Sequence, residues 1–213
     1  MRPSKAAGFT FTEAMISVAI LGIIATAASF SLRTSQYRDQ LRTAARVVAS
    51  DLRSLQARAL AASNIKFCHD ALGRNIVCEN SAGACVDSCT AIAPAGVGIR
   101  LTKDGTAYDL FAKRDPSTTD WRESYAEEKF LTRDLAASGA QNVKVGKIFS
   151  PTVPDYGMID VAFQRQNGGM LIDACPVGCT NQNNLVIRLT HTLTSLSIEI
   201  VLNKTTGRIS IEE

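Results

Sequence analysis

The sequence predicts an α+β fold, one long amino-terminal helix followed by an antiparallel β-rich head. Three observations predict it. Ala14 to Leu32 is an apolar run without a charged residue. Leu41 to Ala62 contains no glycine or proline and is rich in Ala, Leu, Arg and Gln. The last thirty residues alternate apolar and polar side chains around a turn at Asn203 to Gly207. An amphipathic helix and a one-sided sheet each need a cover, so the two are expected to pack together.

The uncharged run has 19 residues. As a helix it spans roughly 30 Å, the thickness of a bilayer core. Arg33 and Arg38 follow it directly. Beyond them Leu41, Ala45, Val48, Leu52, Leu55, Ala59 and Ala62 recur at three- and four-residue steps, with Arg42, Arg46, Asp51, Arg53 and Arg58 between them. That period gives a helix with one buried face, its arginines on the solvated side. Joined to the apolar run it forms a single helix of about 55 residues, roughly 80 Å long.

After Ser63-Asn64 the pattern becomes that of short strands. Ile65 to His69 and Asn75 to Cys78 flank a turn at Gly73. Glu79 to Pro94 is small, polar and cysteine-bearing and is assigned to a loop. Gly96 to Leu101 and Thr106 to Ala112 form a hairpin over Lys103-Asp104-Gly105. Residues 115 to 142 are polar, and Tyr125 to Leu135 has the composition of a short helix. Val143 to Phe149, Met158 to Phe163 and Met170 to Asp173 are strands, with Gly168-Gly169 as a turn. Asn184 to Thr190, Leu196 to Leu202 and Arg208 to Ile211 complete the head.

Composition narrows the function. The chain has 213 residues, 46% hydrophobic and 20% charged, enough for one domain and an anchor. Its net charge is +3, and without Arg2 and Lys5 it falls to +1. No overall field draws it to nucleic acid. No enzyme motif occurs: there is no Gly-x-Ser-x-Gly, His-Glu-x-x-His or phosphate loop. His69 and His191 stand far apart in the sequence and are assigned to ordinary strand or loop positions. Asp51, Asp104, Asp109, Asp155, Asp160 and Asp173 are scattered. Asp115 to Asp120 is the densest oxygen-rich stretch and lacks the EF-hand pattern, so no calcium is expected. No cofactor is expected either.

Cys68, Cys78, Cys85, Cys89, Cys175 and Cys179 all lie beyond the apolar run. An even number in an exported domain points to disulfides. Nearness favours Cys85 with Cys89 and Cys175 with Cys179, and cross-pairing of those two loops is the alternative. A zinc site from the two Cys-x-x-x-Cys pairs is a rival reading that oxidation disfavours. Neither pair has the redox-active Cys-x-x-Cys spacing.

Glu13 is the sharpest feature. It stands at the edge of the uncharged run, where a carboxylate in hydrocarbon costs about 2.5–3.5 kcal/mol. A plain single-pass anchor has no reason to keep it. An ordinary secretory signal would be cut after the apolar core, near Ala25, Ala27 and Ala28, and rarely holds an acid there. Arg2 and Lys5, then Ala6, Ala7, Gly8, Phe9 and Glu13, then an apolar stretch with Gly22, resemble the leader of type IV pilins and type II secretion pseudopilins. The resemblance implies cleavage by a membrane prepilin peptidase between Gly8 and Phe9, N-methylation of Phe9, and an assembly role for Glu13. It implies a leader at 1–8, a helix at 9–63 with a transmembrane part at about 14–32, and a head at 64–213. It also implies anchoring in a bacterial inner membrane with the head in the periplasm or, after assembly, in a periplasmic or surface filament. The expected partners are other pilin or pseudopilin subunits.

Ala44 to Phe67 and the Gly207-Arg208 ending are similar to pseudopilin H and FimT-like minor pilins. Two departures from the family stand out. The proline that many pilins place about twenty residues into the mature chain is missing, and Phe30 and its neighbours occupy that place. The basic DNA-binding string of FimT-like pilins lacks its second arginine here, and the chain runs into Glu212 and Glu213. A structural minor subunit is therefore the expected function. The alternative is a tip module for DNA uptake or adhesion, with few phosphate contacts available.

Overall fold

A run of good helix formers with no proline continues across the apolar and amphipathic segments, and a single helix results. In the computed structural model α1 spans Phe11–Leu60, 50 residues. The structure describes residues 10–69, 75–77, 89–113, 129–151, 155–165, 169–173 and 183–212. The chain divides into two compact units, Met1–Asp39 and Gln40–Glu213. The described part of the first is Thr10 and α1 up to Asp39, with its apolar side chains exposed.

In the second unit α1 buries Leu41, Ala44, Ala45, Val48, Ala49, Leu52, Leu55 and Ala59. Six of the seven residues expected on this face are among them. Ala62 is the exception, because the helix has ended before it. Ser63 donates to the Arg58 carbonyl at 3.2 Å and Ala62 to the Ala59 carbonyl at 3.3 Å, while Ala62 takes φ +47°. This is a Schellman stop, with alanine in the left-handed position that glycine usually fills.

Among the described residues twelve strands follow: β1 Ile65–His69, β2 Asn75–Val77, β3 Thr90–Ile92, β4 Gly96–Thr102, β5 Ala107–Lys113, β6 Lys129–Asp134, β7 Val143–Phe149, β8 Met158–Gln164, β9 Met170–Asp173, β10 Asn184–His191, β11 Ser197–Asn203 and β12 Arg208–Glu212. All pairings are antiparallel, in sheets ordered β2-β1-β3, β6-β5-β4-β8-β9 and β12-β11-β10-β7. The long helix followed by antiparallel sheets is the α+β, pilin-like architecture. One hydrophobic core joins the buried helical face to Val97, Ile99, Ile159, Val161, Leu185, Ile187 and Ile200 among others.

Two local expectations are corrected. The Glu79–Pro94 loop contains β3, which pairs with β1 in the register Ile65↔Ile92 and Phe67↔Thr90. Lys129–Asp134, within the stretch given a helical composition, is β6. Its Phe130 and Leu131 pack against the core from an edge strand, and pairing with β5 overrides a weak helical propensity.

The cysteine pairing by nearness is also corrected. Cys89 is bonded to Cys68, not to Cys85. The β1–β3 register continues by one step to set Cys68 opposite Cys89, with their Cα atoms 4.3 Å apart. Strand pairing, rather than loop length, makes them neighbours. Cys78, Cys85, Cys175 and Cys179 lie outside the described residues.

The outer face of the five-stranded sheet carries a buried ion pair. Arg100 on β4 and Asp160 on β8 face each other in register, and the guanidinium donates twice to the carboxylate. Asp160 is 1% exposed. Beside them Phe111 lies over Gly98, where a Cβ would collide with its ring. On the other sheet Gly146 is the extra residue of a β-bulge between β7 and β10, and a Cβ there would collide with Thr190.

Polar contacts fasten α1 to the sheets at three heights. Asp51 accepts from the Tyr108 hydroxyl at 2.8 Å and from Arg133 at 3.1 and 3.3 Å. Burial first, then the bond to Asp51, pushes the Tyr108 phenol well up, so it stays a donor. Arg53 donates to the Ile209 carbonyl and Gln56 to the Gly207 carbonyl. His191, 2% exposed, accepts from the Leu193 N–H at Nδ1. Its Nε2 therefore carries the proton and donates to Gln40 at 3.1 Å. Burial lowers the His191 pKa below the ordinary imidazole value.

Two outcomes follow from these contacts. Asp51→Ala leaves a buried hydroxyl without its acceptor and should cost about 2 kcal/mol, lowering the thermal midpoint of the full chain in micelles by about 4–8 °C. An unchanged midpoint would show that the cluster contributes nothing. The lowered His191 pKa means the unfolded chain takes up a proton more readily. Stability is then complete above about pH 6.5 and falls as the pH drops toward the folded-state value. Thermal midpoints of the wild type and His191→Gln between about pH 7.5 and 5 should converge as the pH falls; parallel curves would refute the assignment.

Candidate functional site

The start of α1 is set by a capping box. Thr10 precedes the helix and Glu13 is its third residue, the Thr-x-x-Glu pattern. The Glu13 N–H donates to the Thr10 hydroxyl at 3.3 Å. In return one carboxylate oxygen, Oε2, accepts the Thr10 N–H at 3.0 Å and the Thr10 hydroxyl at 2.9 Å. The sequence marks Glu13 as an acid in need of a partner, and Thr10 is one that spacing to a neighbouring chain does not reveal. The signal was present in Thr10-Phe11-Thr12-Glu13. An acid in the first turn also meets the positive end of the helix dipole.

Above Glu13 the helix is apolar and open on all sides. Phe11 is 79% exposed, Val18 69%, Ile23 69% and Phe30 73%. In water this surface would be costly at about 25 cal/mol per Å². Among the described residues α1 is the one helix long and apolar enough to cross a membrane, and none of its apolar window is buried in the protein. Four hydroxyls along it are satisfied by their own helix. Ser17 donates to the Glu13 carbonyl, Thr26 to Ile23, Ser29 to Ala25 and Thr34 to Phe30. These bonds remove the cost of a bare donor in hydrocarbon.

Gly8 and Phe9, the residues of the expected cleavage, lie outside the described residues. So does Asp115 to Asp120. The described residues contain no group of three or more His, Cys, Asp or Glu side chains able to hold a metal. Cys68 and Cys89 are consumed by their disulfide. His191 belongs to the helix–sheet contact described above, and Asp160 to its ion pair.

A family model described as the prokaryotic N-terminal methylation motif matches residues 3–29. No curated protein and no solved structure matches the chain. The matched stretch takes in Lys5, Gly8, Phe9, Glu13 and most of the exposed apolar helix. The match covers the amino-terminal segment alone; motif and exposed apolar helix together are features that type IV pilin-like proteins share, and they point to membrane anchoring.

Proposed function

We propose that this chain is a minor pilin or pseudopilin, most like pseudopilin H and FimT-like subunits, that enters a filament after its leader is removed. The observation that carries the reading is Glu13 at the foot of an exposed, uncharged helix, within the matched methylation motif. Prepilin peptidase would cut between Gly8 and Phe9 and methylate the new amine. Residues 1–8 are then the leader, about 14–32 the membrane segment, and 64–213 the head on the periplasmic side of the inner membrane.

Assembly follows from the electrostatics of the helix start. The freed amine of Phe9 is a cation four residues from Glu13. In a medium of low dielectric an unpaired carboxylate is costly, and pairing with a neighbour's amine is favoured over leaving it bare. The pair fixes the register between subunits, while Ile16, Ile20 and Ile24 offer exposed apolar surface to neighbouring helices. Other pilins or pseudopilins are then the partners, and nucleic acid is not required.

Glu13→Ala is expected to be inserted and cleaved normally but recovered in filaments at a small fraction of the wild-type level. Normal recovery would remove the assembly role. Gly8→Val is expected to keep its leader. Intact-mass analysis of the purified wild-type chain is expected to show N-methyl-phenylalanine at the start, and a chain beginning at Met1 would contradict the processing step.

A further inference from the structure

The two outer strands of the four-stranded sheet end differently. β7 is closed: Val145 exchanges both backbone bonds with the β4–β5 turn, at Asp104 and Gly105, and the Ile148 carbonyl takes the Tyr156 N–H. β12 is open. Its pairing with β11 runs from Asn203↔Arg208 to Glu199↔Glu212. Alternation along the strand turns the N–H and C=O of Ile209 and Ile211 away from β11. Among the described residues two side chains of α1 reach that side: the Arg53 guanidinium, 3.0 Å from the Ile209 carbonyl, and Gln56, which donates to the Gly207 carbonyl just before the strand. Arg53 is itself exposed, and a carbonyl oxygen keeps a second lone pair. β12 is short and carries Arg208 and Glu212 at its ends, but it has no proline, bulge or inward charge to prevent pairing along Ile209 to Ile211.

The charges on this strand are unsettled. Arg208 and Glu212 are exposed at its two ends, and neither has an ion-pair partner among the described residues. Glu212 stands directly opposite Glu199 across the ladder. Glu199 is held by Arg188 at 2.6 Å, but Glu212 is left beside a like charge. A new strand on the open side would face Arg208, Ser210 and Glu212 at positions that do not exchange hydrogen bonds, where side chains approach most closely.

We propose that β12 is a docking edge for an extended segment of another protein, added antiparallel. That segment carries a basic residue opposite Glu212, an acidic residue opposite Arg208 four places later, and apolar residues opposite Ile211 and Ile209 between them. Main-chain bonds to Ile209 and Ile211 supply the attraction, and the two end charges set register and direction. Arg53 withdraws or shares the Ile209 carbonyl. The proposal concerns the head alone and does not rest on the assembly reading.

The probes are two synthetic peptides, Lys-Ile-Thr-Ile-Glu and the charge-reversed Glu-Ile-Thr-Ile-Lys, titrated into the full chain in detergent micelles. Amide exchange at Ile209 and Ile211 is the readout. The first peptide should protect both amides and bind about tenfold more tightly than the second. Ile211→Pro removes an N–H only from the open edge and should abolish protection of Ile209; its lost packing against the core lowers the thermal midpoint, so exchange is read well below that midpoint. Arg208→Glu with Glu212→Arg, both on exposed side chains, should invert the peptide preference and keeps the test valid if the proline variant misfolds. Equal binding of the two peptides, no protection, or occupation of the edge by a second copy of the chain would each overturn the proposal.

Discussion

The head depends on one close contact, the seating of a small-residue helical face on β-sheet. Ala44, Ala45 and Ala49 are fully buried in the same stretch of α1 as Val48 and Leu52. Alanine keeps the backbone near the strands and loses no side-chain entropy on burial. The larger residues of the sheets, Ile99, Ile187, Ile200 and Phe163, then fill the space above it. Once the helix lies this close, a few polar groups can hold it in register. Asp51 reaches Tyr108 and Arg133, and Gln40 reaches His191. Such bonds contribute modestly one by one, but a buried Tyr hydroxyl or imidazole without its partner would be costly. They choose one seating among those that apolar packing alone would allow.

Much of this was legible in the residues, and physics explains which parts. The helical face was readable because its period is long and sustained, and six of seven expected residues are buried. The carboxyl-terminal hairpins were readable because Ile198, Ile200 and Leu202 alternate cleanly and face the core. The sequence reading failed where tertiary pairing outweighs local preference. β3 is three residues long with mostly exposed side chains, so it has no periodicity to detect. β6 packs only partly buried residues, and its strand state comes from β5 beside it. The Cys68–Cys89 bond follows from the same missed strand, since only the β1–β3 register sets those residues opposite one another.

At the candidate site the residues stand out in the sequence, and the local geometry does not. Composition and spacing singled out Glu13 and the uncharged run above it. The capping box escaped because the helix is expected to begin at Phe9, which puts Thr10 inside it, whereas α1 begins at Phe11 and leaves Thr10 at the capping position. The Arg100–Asp160 pair escaped for a different reason. Two charged residues sixty positions apart give no signal until two strands are aligned.

The Thr10 contacts sharpen the electrostatic argument for Glu13. An acid bonded to two neutral donors is better placed than a bare one, yet it keeps its charge. Both bonds fall on Oε2, and no described contact takes Oε1. Hydrogen bonding by Thr10 therefore lowers the cost of holding a carboxylate at a lipid boundary without cancelling its field. A cation brought to the same carboxylate would still gain Coulomb energy, and would gain more in a dry filament core than at a wet interface. The cap and an assembly role are compatible on these terms. The cap holds the carboxylate in one place, at the first turn of the helix, where an incoming amine would find it already oriented.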